Sequence, residues 1–225
     1  MKILKFAEGE WDQWEHMRRG KITGSKAGGL YGKRDADKKL IGFWELVAER
    51  LGMPPESNEN AMERGSRLEG EALDRFEKET GKKLDREKTI WMRDDNESIA
   101  ISPDAAIGEL EAVEAKCLSS ARHIEAYCTR KIPSDYEAQK LQYFVVNDKL
   151  ETLHFVFYDT RFAIFAAAQA EGTAPRIAAT PDGKTLDYFE IIVKRADVQA
   201  DVEEATTRQR KVLAEVNEIV NKLTF

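Results

Sequence analysis

Residues 82–117 read as a run of short strands, at about 82–92, 97–101, 104–107 and 110–117, with helical patterns on both sides. That order restricts a chain of 225 residues to one α/β layered domain spanning 1–225, in which helices flank a central sheet. Inside the strand run, Ser102-Pro103-Asp104 is followed ten residues after the aspartate by Glu114-Ala115-Lys116. The second motif alone carries little information. With 41 acidic residues in the chain, three acid-x-Lys triplets occur, no more than chance supplies. The other two, Asp37-Lys38-Lys39 and Asp182-Gly183-Lys184, fall in a polar loop and a Pro-Asp-Gly turn. The middle one falls on a strand, where alternate side chains share a face. Val113, Ala115 and Cys117 then form a small apolar row, and Glu114 and Lys116 point together to the opposite side.

The helical segments supply a third carboxylate. Leu40 to Leu51 has apolar residues at helical spacing and stops at Gly52, with Pro54-Pro55 beyond. Asn60 with Glu63 resembles a capping pair for a helix to Thr80, closed by Gly81. At about 100° per residue, Met62, Gly65, Ala72, Leu73 and Phe76 share the face of Glu69, whereas Arg67, Glu71, Asp74 and Lys78 lie opposite. Glu69 therefore sits within the apolar stripe, where an ionised carboxylate needs a partner or a metal. The two readings are a buried basic partner, and a carboxylate aimed at the same centre as Asp104 and Glu114. Further on, Pro133 and Ser134-x-x-Glu137 open a helix to Asn147, 150–158 and 185–194 read as strands, and 196–223 reads as the final helix. Between the last two strands, 163–183 is an Ala/Gly/Pro-punctuated excursion. Near the start, Trp11 to Arg19 reads as a short helix and Thr23 as the cap of another.

Composition narrows the chemistry. Two cysteines, Cys117 and Cys128, and three histidines far apart leave little for a disulfide framework or a His/Cys metal site. A metal here would be held by carboxylates, which favours Mg²⁺, with Mn²⁺ as a substitute. Three carboxylates and a lysine suit metal-assisted phosphodiester hydrolysis, with the lysine serving the attacking water or the developing charge. The net charge of −6 weighs against a broad nucleic-acid footprint, but eight basic residues fall between Arg18 and Lys39. Those are either a solvated face or a phosphate-contacting patch. The longest apolar stretch, Phe162 to Ala168, is far short of a membrane span. Met1 to Phe6 resembles a short strand and lacks a signal-peptide pattern, so an intracellular, cytoplasmic protein with no membrane association is expected.

Five motifs in order carry a family resemblance: Trp14-x3-Arg18-x-Gly20-x-Ile22-Thr23-x-Ser25, Gly65-x3-Glu69, Ser102-Pro103-Asp104, Glu114-x-Lys116-Cys117 and Ala138-Gln139-x2-Gln142-Tyr143. The chain resembles the lambda exonuclease (YqaJ-type viral recombinase) family of the PD-(D/E)xK nuclease superfamily. The resemblance implies a restriction-endonuclease-like core, a central mixed β-sheet flanked by helices. It implies a Mg²⁺-dependent, processive 5′→3′ exonuclease on double-stranded DNA that releases 5′-mononucleotides and leaves 3′ overhangs. Asp104 and Glu114 would bind the metal with the backbone carbonyl of Ala115, Lys116 would be catalytic, and Glu69 would lie near the metal centre. Arg18, Ser25, Ser102 and Gln139 would line a pocket for the terminal 5′-phosphate. The partners implied are duplex DNA ends, two further copies in a homotrimeric ring, and a single-strand-annealing recombination protein, all in a bacterial host carrying a phage or prophage gene. The alternatives are an endonuclease of the same superfamily, restriction-like or junction-resolving, and an inactive DNA-end-binding scaffold.

Overall fold

The computed structural model describes residues 39–50, 53, 61–162 and 186–223. The expected strand at Met1–Phe6, the helix at Trp11–Arg19, the caps at Thr23 and Asn60, and the 163–183 excursion lie outside them, as do Arg18 and Ser25. The described residues fall into two compact units. The first draws on Met1–Ala61, Leu118–Thr129 and Asp159–Asp187, the second on Met62–Cys117, Arg130–Tyr158 and Tyr188–Phe225.

In the first unit, helix α1 (Ile41–Arg50) packs against helix α3 (Ser120–Thr129); helix α2 (Ala61–Thr80) lies between them in sequence. Trp44, Ala48 and Met53 meet Ala121, Ile124 and Phe162 in a small core. The α3 segment gives a weak periodic signal because its buried positions are Ser120, Ala121, His123, Ile124 and Ala126, only one of them a large aliphatic residue. Its start is tied to Asp159, which accepts from Ser120 Oγ at 2.9 Å and from Arg161 Nε at 2.8 Å.

The second unit is built on a four-stranded mixed sheet in the order β3-β4-β5-β6. Its strands are β3 (Ala105–Ile107), β4 (Glu111–Lys116), β5 (Thr152–Tyr158) and β6 (Tyr188–Lys194). The β3–β4 and β5–β6 pairs are antiparallel and the β4–β5 pair is parallel. A separate hairpin, β1 (Trp91–Arg93) with β2 (Asn96–Ile101), precedes it. Helix α2 (Ala61–Thr80) places Ala72, Leu73 and Phe76 on Val113 and Val156, one face of the sheet. Register puts Glu114 opposite Phe155 and Lys116 opposite Phe157 on the other face, where Phe157 stacks on Phe189 at 4.8 Å. Helix α4 (Glu137–Val146) buries Tyr143 and Phe144 and packs against the long closing helix α5 (Arg195–Leu223). Arg195 joins the two by donating from Nε to Leu150 O at 2.7 Å and from Nη2 to Phe144 O at 3.0 Å.

Two local expectations change. Residues 82–90 form no strand, only an isolated bridge between Asp85 and Ala106. Side chains hold the backbone there instead of a ladder: Glu77 accepts the Leu84 N–H at 2.7 Å, and Arg86 pairs with Asp74 and Glu77. Ser134 does not cap α4. The chain enters through a 3₁₀ turn, Ser134–Tyr136, whose Tyr136 N–H is taken by Pro133 O at 2.9 Å, and Glu137 turns to Lys140. The Gly81 stop holds as expected, with φ +70° and its N–H on Glu77 O at 2.8 Å.

Candidate active site

The apolar and charged rows of β4 separate as strand alternation dictates. Val113, Ala115 and Cys117 pack toward α2, and Glu114 turns the other way toward α4. Glu114 is 1% exposed. Its Oε1 accepts from Gln139 Nε2 at 2.7 Å and from Lys116 Nζ, and its Oε2 accepts from the Tyr143 hydroxyl. Lys116 Nζ also lies 4.8 Å above the centre of the Tyr136 ring, a cation–π contact that fixes the ammonium on the same side.

Asp104 arrives where the β3 ladder ends. That ladder runs from Ile107↔Glu111 to Ala105↔Val113, and one step beyond it the Ala115 N–H donates to Asp104 Oδ2 at 2.8 Å. A side chain thus replaces the missing strand and sets Asp104 beside Glu114. Pro103, buried, fixes the backbone just before it, and Ser102 is exposed. Burial foremost, and then the charge of Glu114, push the Asp104 carboxyl up to about 7; the Ala115 N–H opposes them, Glu69 adds to the rise and Lys116 counters it. Glu69 is half-buried on the α2 face that carries Ala72, Leu73 and Phe76, and its charge reaches Asp104. Burial and the Glu114 charge raise the Tyr143 phenol far above its ordinary range, so it remains a donor.

The structure therefore brings Asp104, Glu114, Lys116 and Gln139 together, with Glu69 at the edge. Tyr143 and Tyr136 belong with them. Their signal in the sequence is position on one helix face, since Gln139 and Tyr143 are four residues apart. Among the described residues the buried Glu114 and the half-buried Asp104, with one lysine beside them, have the hard oxygen chemistry that Mg²⁺ requires. Among the described residues no group of three His, Cys, Asp or Glu side chains converges as a ligand set. A cation at Asp104 and Glu114 would complete its shell with other oxygens, as Mg²⁺ bound by one or two carboxylates usually does.

The mixed sheet, its flanking helices and the edge aspartate place the chain in the restriction-endonuclease-like α/β class. The model of the YqaJ-like viral recombinase domain matches residues 13–150, and the chain belongs to that family. Among solved structures it is similar to LHK-Exo in complex with dAMP, at 25% identity and a TM-score of 0.54 over 94% of this chain and 97% of that one. A second structure of LHK-Exo, an alkaline exonuclease from Laribacter hongkongensis, matches at 25% identity and a TM-score of 0.53 over the same shares. No curated protein sequence matches the chain.

Proposed function

We propose that this chain is a nuclease of the YqaJ-like family that works as a Mg²⁺-dependent, processive 5′→3′ exonuclease on double-stranded DNA, releasing 5′-mononucleotides and leaving 3′ overhangs. The observation that carries the reading is the Asp104–Glu114 pair, a half-buried and a buried carboxylate held together with Lys116 against one of them. In this reading Asp104 and Glu114 hold the cation with the Ala115 carbonyl, and Glu69 adds negative charge at the edge. When bound, Mg²⁺ supplies Lewis acidity at the scissile phosphate. Lys116, steadied by the Tyr136 ring, orients the attacking water and offsets the charge that grows on the phosphate oxygens. By the family resemblance Arg18, Ser25, Ser102 and Gln139 would take the terminal 5′-phosphate, and Gln139 also donates to Glu114.

The alkaline exonuclease identity of LHK-Exo and its complex with dAMP support an exonuclease that yields mononucleotides. The family's viral recombinase domain supports a role in preparing duplex ends for a single-strand-annealing partner. A homotrimeric ring around the duplex would provide processivity. No helix among the described residues is long and apolar enough to cross a membrane.

The test is a time course with Mg²⁺ on covalently closed circles, 5′-phosphorylated linear duplex and dephosphorylated linear duplex. The expected order is fast loss of the phosphorylated linear DNA, slow loss of the dephosphorylated form and intact circles. Cleavage of circles at a similar rate would replace this reading with an endonuclease.

A further inference from the structure

A carboxylate 1% exposed has its orientation set by protein neighbours rather than by water. For Glu114 two of those neighbours come from one face of α4. Gln139 donates to Oε1 at 2.7 Å, and Tyr143, one helical turn further on, donates its hydroxyl to Oε2. Tyr143 is 0% exposed and meets the Trp91 ring edge-to-face at 6.4 Å between centroids. Its ring is thus fixed by packing, and its hydroxyl has little freedom to leave the carboxylate.

We propose that Tyr143 is a positioning residue, whose hydroxyl on Glu114 Oε2 sets the plane in which that carboxylate meets a divalent cation. The inference rests on the reading of Glu114 as a metal ligand and adds a role for a side chain outside the ligand set. Among the described residues three donors converge on Glu114. Lys116 and Gln139 share Oε1, so the phenol is the group that restrains the opposite oxygen. A carboxylate restrained at both oxygens cannot rotate away, and the lone pairs left over keep a constant direction. Outer partners of this kind commonly change metal affinity or activity about 10–100-fold when removed. A tyrosine serving only the core would show a different pattern: its removal would lower stability and leave metal binding alone.

The experiment compares Tyr143→Phe with the wild type and with Glu114→Ala. Mn²⁺ binding is measured by calorimetry, and activity on linear duplex as a function of Mg²⁺. In Tyr143→Phe, Mn²⁺ binding should weaken about 10–100-fold, and the half-saturating Mg²⁺ should rise by a similar factor. Excess Mg²⁺ should restore most of kcat, with KM for duplex DNA unchanged. Unaltered Mn²⁺ affinity and Mg²⁺ dependence in Tyr143→Phe, beside an inactive Glu114→Ala that binds no Mn²⁺, would overturn the inference and leave the site intact. Normal Mn²⁺ binding by Glu114→Ala would instead overturn the metal-site reading. Should Tyr143→Phe fail to fold, p-aminophenylalanine and p-methylphenylalanine at position 143 provide the same contrast at nearly constant volume. The amino form keeps a donor and should bind Mn²⁺ as the wild type does, while the methyl form should not. Equal affinity in both would reject the proposal.

Discussion

Strand β4 carries two carboxylates three residues apart, on opposite faces of the sheet and in opposite electrostatic company. Glu111 lies with His154, Glu190 and Lys82. The His154 ring places Nε2 2.8 Å from Glu111 and Nδ1 2.8 Å from Glu190, Lys82 reaches the same Glu111 oxygen, and Phe76 covers the imidazole. Burial works against the Glu111 carboxylate, but the hydrogen bonds from Lys82 and His154 prevail and hold it below its ordinary pKa. Glu114 faces the other way, with Asp104 beside it, and there the balance is reversed. Burial and the neighbouring charge raise Asp104 to about 7, and one lysine and a backbone N–H do not offset them. Burial alone therefore does not mark a functional carboxylate. The Glu111 cluster is completed by its neighbours and ties three strands together, whereas among the described residues the Asp104–Glu114 pair carries surplus negative charge that a cation would satisfy.

Substitutions on the two faces should therefore separate activity from stability. The largest effect is expected from Lys116→Ala, which should lower kcat on linear duplex by roughly 10²–10⁴-fold. Undiminished activity would remove Lys116 from the chemistry. Asp104→Asn should lower kcat by a comparable factor and also stabilise the metal-free protein. The sign follows from the raised pKa: the folded state holds its proton longer than the unfolded chain, so ionisation costs stability as pH climbs from the ordinary carboxyl range through about 7. Above that window, in EDTA, denaturant melts should show Asp104→Asn more stable by about 2–4 kcal/mol. A destabilised Asp104→Asn at pH 8 would mean that the pair is already compensated.

On the other face the pattern should invert. His154→Ala should cost about 2–4 kcal/mol, from two lost hydrogen bonds and a cavity under Phe76, and leave kcat/KM on DNA within a few-fold. A large loss of activity at full folding would show that the two clusters are coupled. The smallest effect should come from Lys82→Ala, whose partly exposed ion pair is worth about 1 kcal/mol or less.

How much of this was legible in sequence depends on the range of the interaction. Strand alternation separated Glu114 and Lys116 from Val113 and Ala115, and helical phase placed Glu69 with Ala72, Leu73 and Phe76, because both follow from local geometry. The α3 helix escaped because its buried face is made of small and polar residues. Residues 82–90 read as a strand because composition cannot show that Glu77 and Arg86 would occupy the backbone and its surroundings. Tyr143 read as part of a motif, but its bond to Glu114 depends on α4 crossing that face of the sheet. The Glu111–His154–Glu190 cluster depends on the order β4-β5-β6, which no local pattern encodes.

The central claim, that surplus charge at Asp104 and Glu114 is a divalent-cation site, is tested most directly by calorimetric titration of Mg²⁺ into the wild type, Asp104→Asn and His154→Ala. Saturable binding in the wild type and in His154→Ala, lost in Asp104→Asn, is the predicted result. Equal binding by the wild type and Asp104→Asn would contradict it.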